Sequence, residues 1–253
     1  MTQGAIQKFT DATWRTANIV IPPLPVLAAP TPLWAYLGGS LALSQNMMAG
    51  APAITEVGTP EYPTQTVGNV IRAGPTTGAL PYGRGYLDTH LTDDTKSFTL
   101  AFAARCNYMS GIAQPLGCGN TGGNGFNLNV SLGVAQGGLR CTINGNGINL
   151  LLPVVNSYKI KTYVITYDDP TFTMNIYNVS DGTTISATGT SFTRAQSNVG
   201  TFTIGFNPLA TVGNVNPSDV AMVGKISGSV TPTQAQAIGA NIRATLALTG
   251  MVA

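Results

Sequence analysis

Apolar and polar residues alternate in several short segments of the chain, and this pattern is the main indication of its fold. Each segment carries one apolar row: Phe98, Leu100 and Phe102; Phe126, Leu128, Val130 and Leu132; Leu139, Cys141 and Ile143; Phe202, Ile204 and Phe206. Because successive side chains of a β-strand point to opposite faces, each segment is expected to bury that row and expose Thr, Asn or Ser. Gly- and Asn-rich breaks such as GNTGGNG supply the positive φ of tight turns. Many short alternating strands predict an antiparallel sandwich or barrel.

The most regular alternation lies in residues 162–182, TYVITYDDPTFTMNIYNVSDG, and predicts a hairpin. Two apolar rows flank the Asp-Asp-Pro break: Tyr163, Ile165 and Tyr167 before it, and Phe172, Met174 and Ile176 after it. These rows are suited to sheet packing, and aspartates favour turns because they bond their own backbone. Nothing in this stretch requires a ligand.

One helix is predicted near the end of the chain, in TPTQAQAIGANIRATLA. Thr231 is suited to the N-cap and Pro232 to the first helical position. Ile238, Ile242 and Leu246 then repeat at a spacing of four, which gives one apolar stripe to pack on the sandwich.

Residues 1–35 differ in composition from the rest and are predicted to form an extended arm that leads into a domain over 36–253. The apolar run in 17–37 contains five prolines, which remove helix donors and exclude a transmembrane helix: Pro22, Pro23, Pro25, Pro30 and Pro32. An apolar arm is a poor free linker, so we expect it to lie against a partner subunit or along its own domain. A disordered leader is the alternative.

The composition excludes several classes of partner. The chain is 43% apolar and only 9% charged, against about 25% charged in an average domain, so its polar surface comes from Thr, Asn, Ser, Gln and Gly. The net charge is +2 and the basic residues are scattered, which argues against nucleic acid and an anionic membrane surface. The first residues lack the apolar core of a secretory signal, and the three cysteines, Cys106, Cys118 and Cys141, are expected to be free thiols of a protein made in the cytoplasm.

Motifs for catalysis are weak. The GCGNTG of residues 117–122 fits a dinucleotide-binding pattern, but a strand follows it where that motif needs a helix, so we interpret it as a glycine-rich β-loop. The only glutamates, Glu56 and Glu61, flank a turn and do not alternate on one strand face, which argues against the paired carboxylates of a glycosidase. The prediction is a non-enzymatic protein without cofactor or catalytic residues.

The single histidine, His90, lies near Asp88, Asp93 and Asp94. Such a grouping is compatible with metal binding or with general-base catalysis. One histidine with distant cysteines does not make a typical zinc site, and no Gly-x-Ser-x-Gly elbow accompanies it. The aspartates are interpreted as turn residues, no metal ligand is assigned, and calcium binding stays open.

Two further groups of residues are candidate surface features. Asn129 and Asn178 each begin an NVS triplet and, without a signal peptide, are expected to be outward strand positions. Four side chains are candidates for stacking on sugar rings: Tyr82, Tyr86, Tyr108 and Arg84. The sequence does not specify which loops would bind a ligand.

From about residue 33 to 248 the chain resembles the laminin-G-like, concanavalin-A-like jelly roll. The stretches that carry the resemblance are GYLDTHLTDDTKSFTLAFAAR, KTYVITYDDPTFTMNIYNVSDGTTI and VAMVGKISGSVTPTQAQAIGANIRA, which look like an opening strand and first core strand, a hairpin, and a closing strand with its helix. The resemblance implies an all-β, two-sheet antiparallel jelly roll with one short C-terminal helix. It also implies sugar or protein binding by loops at one edge, and it transfers no catalytic residues.

The low charge, the Thr/Asn/Gly-rich surface and the Pro-rich arm are also similar in style to bacteriophage virion proteins. The predicted function is therefore a virion component, a tail-fibre or receptor-binding protein that recognises a host surface glycan. A capsid decoration protein is the first alternative and a carbohydrate-active hydrolase the second. We expect a homotrimer whose arm contacts other virion proteins, located in the virion, with no nucleic-acid partner and no membrane insertion.

Overall fold

The structure is a computed structural model that describes residues 33–37, 46, 48, 50–63, 70–74, 85–92, 97–106, 111–118, 127–133, 135, 137–144, 148–190, 200–208, 215–248 and 251. These residues form fifteen strands and one helix. In chain order they are β1 (Leu33–Tyr36), β2 (Thr55–Gly58), β3 (Ile71–Ala73), β4 (Gly85–Thr92), β5 (Phe98–Cys106), β6 (Ile112–Cys118), β7 (Asn127–Gly133), β8 (Gly138–Asn144), β9 (Ile148–Pro153), β10 (Lys161–Asp168), β11 (Thr173–Asn178), β12 (Thr183–Thr188), β13 (Thr201–Ile204), β14 (Val215–Asn216), β15 (Ser218–Ser227) and α1 (Pro232–Leu248).

The strands form two sheets. A seven-stranded sheet has the order β1-β15-β5-β10-β11-β12, with β3 also paired to β15. An eight-stranded sheet has the order β2-β4-β13-β6-β7-β8-β9, with β14 also paired to β6. Within the described residues every pairing is antiparallel except the two-residue β14–β6 pair. The predicted two-sheet antiparallel sandwich is confirmed.

The facing sides of the two sheets enclose one apolar core. The alternation predicted most of it, because the following residues of the predicted rows are buried there: Phe98, Leu100, Phe102, Leu128, Val130, Leu132, Leu139, Cys141, Ile143, Tyr163, Ile165, Tyr167, Met174, Ile176, Phe202 and Ile204. Burial of a large apolar side chain contributes about 1.5–3 kcal/mol. The core therefore stabilises the sandwich, and the side chains on the outer sheet faces are not part of it.

The predicted helix and its cap are confirmed in α1. The Thr231 hydroxyl accepts a hydrogen bond from the Gln234 amide at 3.3 Å, and the Gln234 side chain accepts one from the Thr231 amide at 2.9 Å, which makes a capping box. Ile238, Ile242 and Leu246 are fully buried against the outer face of the seven-stranded sheet. Within the described residues no helix is long and apolar enough to cross a membrane.

Two residues of the predicted rows leave their strands, one after a glycine at a positive φ and the other at a positive φ of its own. The alternation of β13 ends at Ile204 because Gly205 has φ 94°, and Phe206 turns to the outer face, where its ring lies 6.1 Å from that of Tyr86. Phe172 itself has φ 51° and belongs to the turn before β11, not to the apolar row. Sequence alternation alone does not reveal such breaks.

The predicted arm lies almost entirely outside the described residues. Residues 1–32 are not described, and 33–35 belong to β1, which pairs antiparallel with β15. In the glycine-rich motif, Gly117 and Cys118 end β6, and 119–122 are not described. Phe126 is also outside the described residues.

Candidate functional site

The outer faces of the two sheets differ in chemistry. The seven-stranded sheet is covered on its outer face by α1, and small or apolar side chains such as Ala101, Ala103 and Val164 form a second apolar cluster with the helix. The eight-stranded sheet presents mainly hydroxyl, amide and charged side chains on its outer face, because its apolar residues point inward. We call this outer surface the polar face.

One continuous row of residues crosses the polar face. Directly paired positions on its seven strands follow one another from β2 to β9: Thr55, Asp88, Thr203, Gly117, Asn129, Thr142 and Asn149. Six of these seven residues are polar. Six strand spacings make the row about 29 Å long. Such a row can offer hydrogen bonds to an extended polar ligand at several places.

The middle of the row is built around Gly117. Asn207 lies over this glycine so closely that a Cβ there would come within 2.4 Å of the Asn207 Cβ. Asn207 is itself fully buried, and its side-chain amide donates to the Leu128 carbonyl at 3.4 Å. The Thr203 hydroxyl is buried too and donates to the Phe206 carbonyl. Residues 205–207 therefore cover the centre of the row and leave a patch on either side.

The first patch lies on β2 and β4. His90, at φ 55°, donates its amide to the Asp88 carboxylate at 2.8 Å, and its Nε2 lies 2.8 Å from the Thr55 hydroxyl. The Tyr86 and Phe206 rings lie beside this group with an interplanar angle of 51°. Burial, and then the Asp88 carboxylate, raises the pKa of the Tyr86 phenol, which stays a neutral donor. The patch thus combines an aromatic surface with a carboxylate acceptor.

The second patch lies on β7, β8 and β9. Asn129, Thr142 and the exposed Asn149 continue the row, and Arg140 stands beside them opposite Ser131 and Leu151 on the neighbouring strands. The Arg140 Nε and the Asn129 Oδ1 are buried, and neither has a hydrogen-bond partner in the described part of the chain. A ligand that reached this patch would meet a donor and an acceptor that the protein leaves unused.

The two glutamates have different surroundings in the structure. Glu56 lies on β2 and accepts a hydrogen bond from the Tyr62 hydroxyl at 2.6 Å, on the side of the strand opposite Thr55. Glu61 forms an isolated backbone bridge with Arg72. Neither glutamate belongs to the row on the polar face.

The structure brings Asp88 and His90 together, whereas Asp93 and Asp94 lie outside the described residues. Among the residues that are described, no three His, Cys, Asp or Glu side chains are grouped to hold a metal ion. The three cysteines are buried free thiols, and burial raises the pKa of the Cys141 thiol. A thiol of this kind is a poor nucleophile at neutral pH.

The remaining residues that the sequence suggested as surface features differ in where the structure places them. Asn129 does lie on the polar face, whereas the Asn178 side chain is buried and donates to the Asp181 carboxylate at 2.8 Å. The expectation of an outward Asn178 is therefore wrong, because its amide holds the turn after β11. Of the four proposed stacking side chains only Tyr86 is described, and it lies half-buried on the polar face.

Sequence reasoning missed Arg140 and the row as a unit. Arg140 is the one charged residue in GLRCTIN, and the alternation of that segment places it on the face opposite the apolar row. This position is the feature of the sequence that could have identified Arg140 as a surface candidate. The row itself depends on the register of seven strands from distant parts of the chain. No local pattern encodes that register.

No protein-family model matches the chain, and no curated protein sequence matches it. Solved structures share the fold at low identity. The botulinum neurotoxin serotype C1 binding domain has a TM-score of 0.59 at 13% identity, covering 84% of this chain and 52% of its own. The binding domain of Paraclostridial Mosquitocidal Protein 1 has a TM-score of 0.54 at 11% identity, covering 81% and 51%.

A Trypanosoma rangeli sialidase in complex with 2,3-difluorosialic acid has a TM-score of 0.51 at 13% identity, covering 74% of this chain and 29% of its own. The chain thus spans about half the length of the two binding domains and less of the sialidase. These similarities establish the fold, and the predicted jelly-roll sandwich is confirmed.

Proposed function

We propose that this chain is a saccharide-binding module that holds an extended glycan along the polar face without cleaving it. The observation that carries the proposal is the row of polar side chains on either side of its covered centre, on β2 and β4 and on β7, β8 and β9, with hydroxyl, amide and carboxylate groups that suit sugar hydroxyls. Tyr86 and Phe206 add an aromatic surface at one end. Two of the proteins that share the fold are binding domains, which supports recognition by analogy of fold alone.

The test is retention of the purified chain on immobilised bacterial surface polysaccharides. Asp88→Asn and Asn149→Ala alter opposite ends of the row, and Asp88→Asn keeps an oxygen for the His90 amide. Asp88→Asn is expected to lower the affinity about tenfold, because hydrogen bonds to a charged group are stronger than neutral ones, and Asn149→Ala about three- to tenfold, the effect of one neutral hydrogen bond. Gln236→Ala, on the exposed side of α1, is the control and should bind as the parent does.

Three results would count against the proposal. The chain could retain no polysaccharide, or Gln236→Ala could weaken binding as much as the row variants do. Release of sugar fragments that Glu56→Gln abolishes would instead establish the hydrolase alternative.

At a finer level we propose that the module is a receptor-binding component of a bacteriophage virion, and that the 1–35 segment attaches it to other virion proteins in a homotrimer. The low charge of 9% and the polar uncharged surface support an assembled protein. Antibody labelling of particles tests the location. Label at the tail tip is expected, and label across the capsid lattice would favour a decoration protein.

A further inference from the structure

Arg140 lies on β8 and belongs to the polar face. Its strand neighbours Leu139 and Cys141 are buried in the core, so the Arg140 side chain points outward. The directly opposite residues, Ser131 on β7 and Leu151 on β9, carry no charge. The buried Arg140 Nε, within the described part of the chain, has no hydrogen-bond partner. A buried guanidinium donor without an acceptor is unfavourable, so this group favours an acceptor from outside.

A second unused group lies on the adjacent strand. Asn129 is opposite Thr142, two positions along β8 from Arg140, so the two residues are diagonal neighbours on the same face. Such neighbours are about 7–8 Å apart, within reach of an arginine side chain. The buried Asn129 Oδ1 also has no hydrogen-bond partner among the described residues. Arg140 therefore offers a cationic hydrogen-bond donor, and Asn129 offers a neutral acceptor beside it.

The residues that the structure describes supply no carboxylate to this region. Residues 95–167 contain no Asp or Glu, and this stretch includes all of β6, β7, β8 and β9 with the loops between them. Asp88 is on the same face but four strands away, about 19 Å at the usual strand spacing. Asp181 and Asp219 pair with cations of the other sheet. Among the described residues, the charge of Arg140 thus has no counter-charge on its own part of the face.

We propose that Arg140 and Asn129 form an acid-reading subsite, in which the Arg140 guanidinium binds the carboxylate of an acidic saccharide and the Asn129 Oδ1 accepts a hydrogen bond from an adjacent sugar hydroxyl. Guanidinium groups match carboxylates in geometry and charge, and their hydrogen bonds are stronger than neutral ones. This inference rests on the proposed saccharide-binding function and names its ligand class. A bridging water would satisfy both atoms equally well, so the distinguishing property is the charge of the ligand.

The experiment compares one acidic polysaccharide with its own carboxyl-reduced form. The chain is screened against neutral polysaccharides and against uronate-containing and sialylated ones, and the best acidic ligand is then measured before and after its carboxyl groups are reduced to alcohols. Reduction leaves the linkages unchanged and removes the charge. Affinity for the reduced polymer is expected to fall about 10- to 100-fold, the effect of one charge-assisted hydrogen-bonded contact.

Variants assign the effect to the subsite. Arg140→Gln should lower the affinity for the acid about 10- to 100-fold while changing the affinity for the reduced polymer by less than about threefold. Asn129→Asp should also abolish selective binding of the acid, because it gives Arg140 a carboxylate of its own. Arg243→Gln, on the exposed side of α1, is the matched control and should have no effect. The side-chain 15Nε resonance of Arg140 should shift with the acid and not with the reduced polymer.

The outcomes separate the two proposals. Binding of neutral polysaccharides alone, or equal binding of the acid and its reduced form, would overturn the acid-reading subsite and leave the saccharide-binding function intact. Selective binding of the acid that survives Arg140→Gln would also overturn the subsite. Retention of no saccharide would refute both.

Discussion

Asp219 is the buried charge on which the end of the seven-stranded sheet depends. Its carboxylate is fully buried and accepts hydrogen bonds from Arg72 and Arg105, with Nε–Oδ1 and Nη2–Oδ2 distances of 2.8 and 2.7 Å. The three residues lie on β15, β3 and β5, in directly paired positions. The two arginine side chains remain 18% and 23% exposed. The carboxylate thus ties a short strand, β3, to the centre of the sheet.

Asp219→Asn should lower the free energy of unfolding by about 3 kcal/mol, the lower end of the range for breaking a buried ion pair, because the arginines stay partly hydrated. Urea denaturation at neutral pH measures the change. Asp168→Asn is the matched control, since that carboxylate accepts from Thr171 in an exposed turn, and it should change stability by no more than about 0.5 kcal/mol. Equal denaturation midpoints for the two variants would contradict this role of Asp219.

At the scale of single elements, the position of α1 depends on a glycine. A Cβ at Gly239 would lie 2.4 Å from the Val179 Cγ2, on the turn after β11, so the glycine lets the helix approach the sheet. Valine has a stiff side chain and cannot easily move aside. Alanine is otherwise better than glycine in a helix by about 1 kcal/mol. The two effects act in opposite directions at this one residue.

Gly239→Ala should therefore destabilise the parent chain by about 1–2 kcal/mol, because the strain of overpacking exceeds the gain in helix propensity. In a Val179→Gly background the three Val179 atoms that the new Cβ would meet, at 2.4, 2.9 and 3.0 Å, are all absent, and the same substitution should stabilise by up to about 1 kcal/mol. Thermal or urea unfolding of the four proteins of this double-mutant cycle measures both effects. The same sign in both backgrounds would show that Val179 does not limit the helix position.

Elements with strong alternation could be predicted from the sequence, and those that depend on distant pairing could not. The hairpin of β10 and β11 and the cap of α1 are local patterns, and both are confirmed. The order β1-β15-β5 joins strands from three distant parts of the chain. The sequence around Asp219 shows a single acidic residue in an apolar strand and does not indicate an ion pair, because its partners Arg72 and Arg105 are far away in sequence. The same holds for the row on the polar face.

At the scale of the whole molecule, the two outer faces differ: α1 covers the seven-stranded sheet, and no helix of the described residues lies on the eight-stranded sheet. The helix completes the seven-stranded sheet with apolar contacts, whereas the eight-stranded sheet keeps polar groups outward. The sequence predicted the polar surface from composition but assigned ligand binding to the loops. The row arises when seven strands pair in register, and so the sheet face is the stronger candidate in the described residues.

The core also sets how the whole molecule responds to alkaline pH. Burial, and then the Asp181 carboxylate, raises the pKa of the Tyr163 phenol above its ordinary value of 10.0, and burial raises the pKa of the Cys141 thiol above 9.0. Above these ordinary values the unfolded chain releases protons that the folded chain keeps. The unfolded state then binds fewer protons, so the free energy of unfolding falls as pH rises, by up to about 1.4 kcal/mol per pH unit for each group.

Tyr163→Phe should remove one such group and make the loss of stability above pH 10 less steep than in the parent chain. At pH 7 it should leave the free energy of unfolding unchanged or raise it by up to about 1 kcal/mol, since the buried Tyr163 hydroxyl has no hydrogen-bond partner in the described part of the chain. Urea denaturation across this pH range measures both effects, with Tyr158→Phe, whose hydroxyl donates to Asn156 in an exposed position, as the control. An unchanged alkaline slope would exclude Tyr163 as a source of it, and a large loss at pH 7 would mean that its hydroxyl has a partner in solution.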